Sequence, residues 1–79
     1  MVERFVGTIT KVSEDERSAI VTLDHIVAGK GYAVITPDTK GRIKLMNGKG
    51  KLMTDTPVRG TADTGIDALR ALEVEKAKG

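Results

Sequence analysis

Short apolar runs rich in Val, Ile and Thr, separated by polar or glycine-containing turns, cover most of the chain. β-Branched residues suit the pleated surface of a sheet. The pattern therefore predicts strands over 2–12, 18–23 and 32–36, with a short closing strand over 58–61. Strict alternation of apolar and polar positions fails near Gly7, which predicts a bulge or a sharp bend there.

The segment 40–55 contains the strongest turn signal in the chain, Asn47-Gly48. A type I′ turn needs positive φ at both central residues, and Asn and Gly accept it most readily. A hairpin closed by this turn places Lys44 opposite Lys51. Side chains alternate between the two faces of a strand, so the hairpin is predicted to have one apolar and one basic face. The apolar face contains Ile43, Leu45 and Leu52, and the basic residues are Lys40, Arg42, Lys44, Lys49 and Lys51.

The apolar spacing changes after residue 62. Ile66, Leu69 and Leu72 recur at three-residue steps, a spacing typical of one face of a helix. Asp63 or Thr64 can cap its first turn. We therefore predict an α-helix over 65–77. The alternating stretch 72–75 leaves a strand open as the alternative.

These elements predict a mainly β fold, namely a small SH3-like or OB-like antiparallel barrel of about five to six short strands with a C-terminal α-helix. The barrel is expected to occupy 1–62 and the helix 63–79 within a single domain. An OB fold normally has a helix between its third and fourth strands, whereas the connection predicted here is the short turn at 36–39, so the SH3-like arrangement is favoured. The segments 5–12 and 18–23 resemble the start of a KOW-type SH3-like domain.

The predicted core combines the inner faces of the strands with the apolar face of the helix. Its members are Phe5, Ile9, Ile20 or Val21, Leu23, Val34 or Ile35, Ile43, Leu45, Leu52, Ile66, Leu69 and Leu72.

Composition adds an expectation about assembly. The chain has 79 residues, no cysteine, one Phe and one Tyr. The absence of cysteine excludes disulfides and thiolate zinc sites, and a chain this short buries a limited fraction of its surface. We therefore expect a homo-oligomer. The sequence has no apolar run long enough for a membrane helix and no visible signal peptide, so a cytoplasmic protein without membrane association is expected.

The distribution of charge leads to the functional hypothesis. Thirteen basic and eleven acidic residues give a net charge of +2, and 40–51 contains no acidic residue. Like charges directly opposite each other destabilise a sheet, and two explanations remain open. RNA or DNA could neutralise them through phosphate contacts with Lys40, Arg42, Lys44, Lys49 and Lys51, while Tyr32 stacks on a base. Charged strand edges could instead prevent aggregation, in which case the chain is a homo-oligomeric protein–protein interaction or assembly module.

The motifs that resemble catalytic or metal sites are incomplete. Asp63-Thr64-Gly65 resembles the catalytic turn of aspartic proteases, which needs two carboxylates sharing a proton and a flap that the residues after Gly65 cannot supply. His25 is the only histidine, and no Ser, Cys or second His is placed to complete a site with it. The acidic run 14–16 lacks the alternation of a calcium loop. We therefore expect no enzyme, no cofactor and no metal site.

Overall fold

The computed structural model describes residues 2–45 and 51–77. Within them the chain forms five strands and one short helix. The strands close into a ring in the order β1-β2-β3-β5-β4, with β3 and β5 parallel and the other neighbours antiparallel. The small, mainly β barrel is confirmed. Its elements are β1 (Val2–Val12), β2 (Ala19–Val27), β3 (Lys30–Ile35), α1 (Arg42–Leu45), β4 (Pro57–Thr64) and β5 (Leu69–Lys76).

One apolar cluster fills the interior of the barrel. Six residues predicted for the core are buried, namely Phe5, Ile9, Leu23, Leu45, Leu52 and Leu69. At the two positions left open in the prediction, the buried residues are Val21 and Ile35. Three predicted core residues are outside it, since Ile43 and Ile66 are exposed and Leu72 is half-buried. The core also contains smaller side chains, which the apolar pattern did not single out: Ala19, Ala33, Val58, Ala62, Ala71 and Val74.

The predicted hairpin over 40–55 is wrong. Residues 42–45 form α1, and residues 51–56 lead to β4 without strand structure. The Asn47-Gly48 turn, Met46 and Lys49 lie outside the described residues. Lys51 lies beside Glu16, with 3.4 Å between Nζ and Oε1, instead of facing Lys44 across a ladder. This arrangement avoids the like-charge pair that the hairpin would have required.

The connection from β3 to β4 therefore contains a helix. The absence of such a helix was the reason for favouring an SH3-like barrel, so that reason is wrong. The predicted turn at 36–39 is present, with the Thr39 N–H donating to the Thr36 carbonyl at 3.0 Å. It precedes α1 and does not make up the whole connection.

The predicted C-terminal helix is also wrong, because Leu69–Lys76 is strand β5. The ladder between β4 and β5 shifts register between Thr61 and Ala62, which pair with Glu73 and Ala71. Leu72 is therefore the extra residue of a β-bulge. The three-residue spacing of Ile66, Leu69 and Leu72 therefore does not mark one buried face, because Ile66 is exposed in the turn before β5 and Leu72 lies at the bulge.

A bulge or a sharp bend was predicted at Gly7, and the structure has no bulge at that residue. The register shift between β1 and β2 lies between Ile9 and Lys11. At Gly7 the two strands instead approach closely, and a Cβ atom there would lie 2.4 Å from the carbonyl oxygen of Thr22. Glycine is needed at this position because any side chain would collide with the neighbouring backbone.

Among the described residues, no helix has the length and apolar character required to cross a bilayer.

Candidate functional site

The basic residues predicted to share one face are distributed over different parts of the barrel. Lys40 precedes Gly41, and Arg42 and Lys44 belong to α1. Lys51 lies in the segment before β4 and contacts Glu16, while Lys49 is outside the described residues. Tyr32 is exposed on β3, opposite Thr22 of β2. Lys40, Arg42 and Lys44 stay together around α1, whereas Lys51 and Tyr32 lie elsewhere on the barrel, so the predicted set does not form a single basic face.

Asp63 lies in a strand ladder and not at the start of a helix. It faces Arg70 across the β4–β5 pair, and its Oδ2 lies 3.2 Å from Arg70 Nη2. Its Oδ1 accepts the N–H of Thr64 at 2.9 Å. The predicted helix cap is wrong, and the carboxylate takes part in a cross-strand ion pair instead of a carboxylate dyad.

Donor atoms for metal ions are sparse. Among residues 2–45 and 51–77, no three His, Cys, Asp or Glu side chains converge on one point. The softer donors in these residues are the imidazole of His25 and the thioether of Met53. His25 lies by Arg4, Phe5 and Val6 in the first half of β1, and Met53 lies by Val12 at the end of this strand. At a rise of about 3.3 Å per residue, they are on the order of 20 Å apart and cannot bind one ion together.

His25 lies where β1 and β2 separate. The β1–β2 ladder stops at the pair Gly7 and Leu23, and the β2–β3 register is irregular between Thr22 and Val27. The strands therefore diverge around His25 and leave a shallow depression of about 170 Å³. Its lining is mainly apolar, apart from a guanidinium and the imidazole: Arg4, Phe5, Val6, His25 and Val27.

This depression can bind a ligand in a limited number of ways. The exposed imidazole has two ring nitrogens, and a neutral ring can coordinate a metal ion through one of them. Phe5 is buried and Val27 half-buried, so the wall beside the ring is apolar. Arg4 opposes the binding of a metal ion, because its fixed positive charge repels a cation. In the sequence His25 is an isolated histidine, and the divergence of the strands around it depends on register and not on residue type.

The architecture defines the class of protein as a small closed β-barrel with a short helix between its third and fourth strands. No protein-family model matches the chain, and no curated protein is significantly similar to it in sequence. Solved structures of CusF are similar in fold. CusF with Ag(I) has a TM-score of 0.64 and 16% identity, covering 98% of this chain and 99% of that chain.

Two further CusF structures, both from Escherichia coli, agree with this. A second structure with Ag(I) has a TM-score of 0.65 and 16% identity, covering 99% of this chain and 94% of the other. A CusF variant with Cu(II) has a TM-score of 0.61 and 14% identity, covering 98% and 92%. At this level of identity the similarity establishes the fold, which is a CusF-like β-barrel.

The prediction of RNA or DNA binding is wrong. The structures that share this fold are of a protein that binds Ag(I) and Cu(II), and not of nucleic-acid-binding proteins. The physical basis of the prediction also fails, because it required the basic hairpin face. The described part of 40–55 contains α1 in place of that hairpin.

Proposed function

We propose that this chain is a small, non-catalytic, metal-binding protein with an OB-like barrel, and that His25 is its principal protein ligand. The observation that carries this proposal is the correspondence with CusF, which extends over nearly the whole of both chains. The ring of five strands and the helix between β3 and β4 support the OB-like assignment.

The donor chemistry supports a soft or borderline ion. Imidazole nitrogen suits copper among the transition metals, whereas hard ions prefer several oxygen ligands. His25 is exposed, so an ion can reach the ring without opening the barrel. The apolar wall formed by Phe5, Val6 and Val27 shields one side of the ion from water.

A site with one protein donor has a characteristic behaviour. The remaining coordination positions are filled by water or by small ligands from solution. We therefore expect modest affinity and rapid exchange. Such an ion is easily passed to a stronger set of ligands.

Isothermal titration with Ag(I) tests the assignment on the wild type and two variants. His25→Gln removes the imidazole and keeps a side chain of similar polarity. Met53→Leu removes the other soft donor of the described residues and conserves volume. We expect one Ag(I) per wild-type chain, loss of the binding heat in His25→Gln, and an unchanged isotherm in Met53→Leu.

Two results would contradict the proposal. Absence of Ag(I) binding by the wild type would remove metal binding as the function. Binding that survives His25→Gln would place the ion elsewhere on the chain. Circular dichroism of each variant establishes that the barrel is intact before the titration is interpreted.

A further inference from the structure

The guanidinium of Arg42 lacks the partners that such a group normally has. Its Nε and Nη1 atoms are shielded from solvent, and they have no hydrogen-bond partner among the residues that the structure describes. Arginine stays protonated in proteins and cannot neutralise itself by losing a proton. Shielding N–H groups from water without giving them an acceptor is unfavourable for folding, although Arg42 as a whole is only half-buried. An anion bound at Arg42 would supply the hydrogen-bond acceptors that its side chain lacks.

The surroundings of Arg42 are also positively charged. A shallow depression beside α1 is lined by Lys40, Arg42 and Lys44 together with the apolar or uncharged residues Pro37, Thr39, Gly41 and Ile43. No carboxylate is among the lining residues. Lys40 also borders a neighbouring cleft that contains Asp38 and Glu73, but neither acid is within ion-pair distance of Arg42 in the described structure.

The backbone beside this depression is held firmly. The N–H of Lys40 donates to the Leu72 carbonyl, and the Lys40 carbonyl accepts from the N–H of Val74, both at 2.9 Å. Gly41 has φ of +82°, and a Cβ atom there would collide with the Val74 carbonyl oxygen. The Thr39 hydroxyl, which is buried, donates to the Ala71 carbonyl at 2.9 Å. These contacts fix the backbone from which the charged side chains project, which reduces the part of the site that must be ordered on binding.

We propose that Arg42, assisted by Lys40 and Lys44, forms a binding site for an oxyanion carried by a small molecule. The planar guanidinium forms paired hydrogen bonds with a carboxylate or a phosphate, and the two lysines add positive charge at the rim. Ile43 is 74% exposed at this depression, so the ligand has an apolar surface to contact beside its charged group. The site is separate from His25 and does not depend on metal binding.

Thermal melting in the presence of sodium phosphate or sodium benzoate, at constant ionic strength, tests this proposal. Phosphate presents the oxyanion alone, and benzoate presents a carboxylate on an apolar body. We compare the wild type with Arg42→Met, which replaces the guanidinium by an apolar side chain. Arg17→Met is the matched control, because Arg17 is exposed in the β1–β2 loop.

Binding to the folded state raises the melting temperature. We expect at least one of the two probes to raise it by a few degrees in the wild type and in Arg17→Met, and by nothing in Arg42→Met. A response to phosphate alone identifies phosphate as the ligand group, and a response to benzoate identifies a carboxylate. Without ligand, Arg42→Met is expected to melt at or above the wild-type temperature, because it removes two shielded nitrogen atoms that have no hydrogen-bond partner.

Three results would overturn the proposal. The first is that neither probe changes the melting temperature of the wild type. The second is that the responsive probe raises the melting temperature of Arg42→Met equally. The third is that Arg42→Met melts well below the wild type without ligand. The last result would show that the guanidinium already has a stabilising partner.

Discussion

At the scale of single residues, burial separates two apolar side chains that lie close together in the sequence. Leu69 is fully buried in the barrel, whereas Ile66 is 91% exposed in the turn between β4 and β5. Leu69→Ala is expected to lower the free energy of unfolding by about 2–5 kcal/mol, because it removes buried methyl groups and leaves a cavity. Ile66→Ala is expected to change it by about 0.5 kcal/mol or less.

Urea unfolding of both variants checks this prediction. Equal losses of stability would mean that Ile66 is buried in solution, as the predicted helix required. A small loss in Leu69→Ala would contradict the position of β5 in the ring.

Arg4 gives a second prediction at the same scale. Its positive charge borders the depression at His25 and opposes the binding of a cation. In a water-like environment, a unit charge about 4–8 Å from the ion changes its binding free energy by about 0.5–1 kcal/mol. Arg4→Gln is therefore expected to increase the affinity for Ag(I) by roughly two- to fivefold. Arg17→Gln, in a loop near the other end of β1, is the control and should leave the affinity unchanged.

Titration calorimetry at low and at raised salt measures this effect. The advantage of Arg4→Gln should shrink as salt screens the charge. A lower affinity in Arg4→Gln would mean that the ion binds away from this depression.

At the scale of elements, the loop between β1 and β2 is stabilised by the carboxylate of Asp15. The Ser13 hydroxyl donates to it, as does the backbone N–H of Arg17. These hydrogen bonds, the first being the larger cause, lower the pKa of Asp15 below its ordinary value of 3.8. A lowered pKa in the folded state stabilises the protein above the ordinary pKa, and this contribution is lost as pH falls through the lowered value.

Asp15→Asn is therefore expected to be less stable than the wild type at neutral pH. The difference should shrink as the pH falls below 3.8 and through the lowered pKa of the folded state, because the folded wild-type carboxyl loses its charge only there. Urea unfolding at neutral pH and at a pH well below 3.8 measures the stability difference between Asp15→Asn and the wild type. Glu14→Gln in the same loop is the control. A difference that stays constant with pH would show that the charge of Asp15 has no part in the effect.

The β4–β5 pair requires glycine at a close approach of two strands. A Cβ atom at Gly60 would lie 1.9 Å from the carbonyl oxygen of Glu73, so Gly60→Ala must displace the backbone of β5. We expect a loss of about 1–3 kcal/mol. Gly31→Ala is the matched control in β3, since its Cβ would have ordinary contact at 3.8 Å with Ile26. Similar stability of the two variants would contradict the β4–β5 register.

The sequence predicted elements well where local pattern and register agree. β1, the start of β2 and β3 follow runs of β-branched residues, and their inward residues, such as Ile9 and Val21, are buried. Prediction failed where a bulge or a long-range contact decides the structure. The bulge at Leu72 interrupts the alternation expected of a strand, so β5 was predicted as a helix. Lys40 pairs with β5 and does not belong to the expected hairpin. Neither feature is visible in the local pattern.

The candidate site was less predictable than the fold. The predicted basic residues were chosen from a hairpin register that does not form, although Lys40, Arg42 and Lys44 do remain close together around α1. His25 was visible in the sequence, but its neighbours Arg4 and Phe5 are contributed by another strand. Their approach depends on where the β1–β2 ladder stops, and that depends on the closure of the whole barrel.

At the scale of the whole molecule, ring closure explains how a chain of 79 residues forms a stable sheet. A closed barrel removes the exposed strand edges that promote aggregation. Closure is weakest between β3 and β5, where the ladder has two residue pairs, Ala33 with Leu69 and Val34 with Arg70. The segment before α1 continues this contact through Lys40 and Glu73. The expected homo-oligomer stays a prediction.

Nuclear magnetic resonance of the ¹⁵N-labelled protein during titration with Ag(I) tests the central claim most directly. If the barrel binds the ion at His25, the largest shift changes fall on His25 and on its neighbours Arg4, Val6 and Val27. Residues near Met53, such as Ser13 and Glu14, should remain unchanged. No shift changes at stoichiometric Ag(I), or changes centred on Met53 or on α1, would contradict the account.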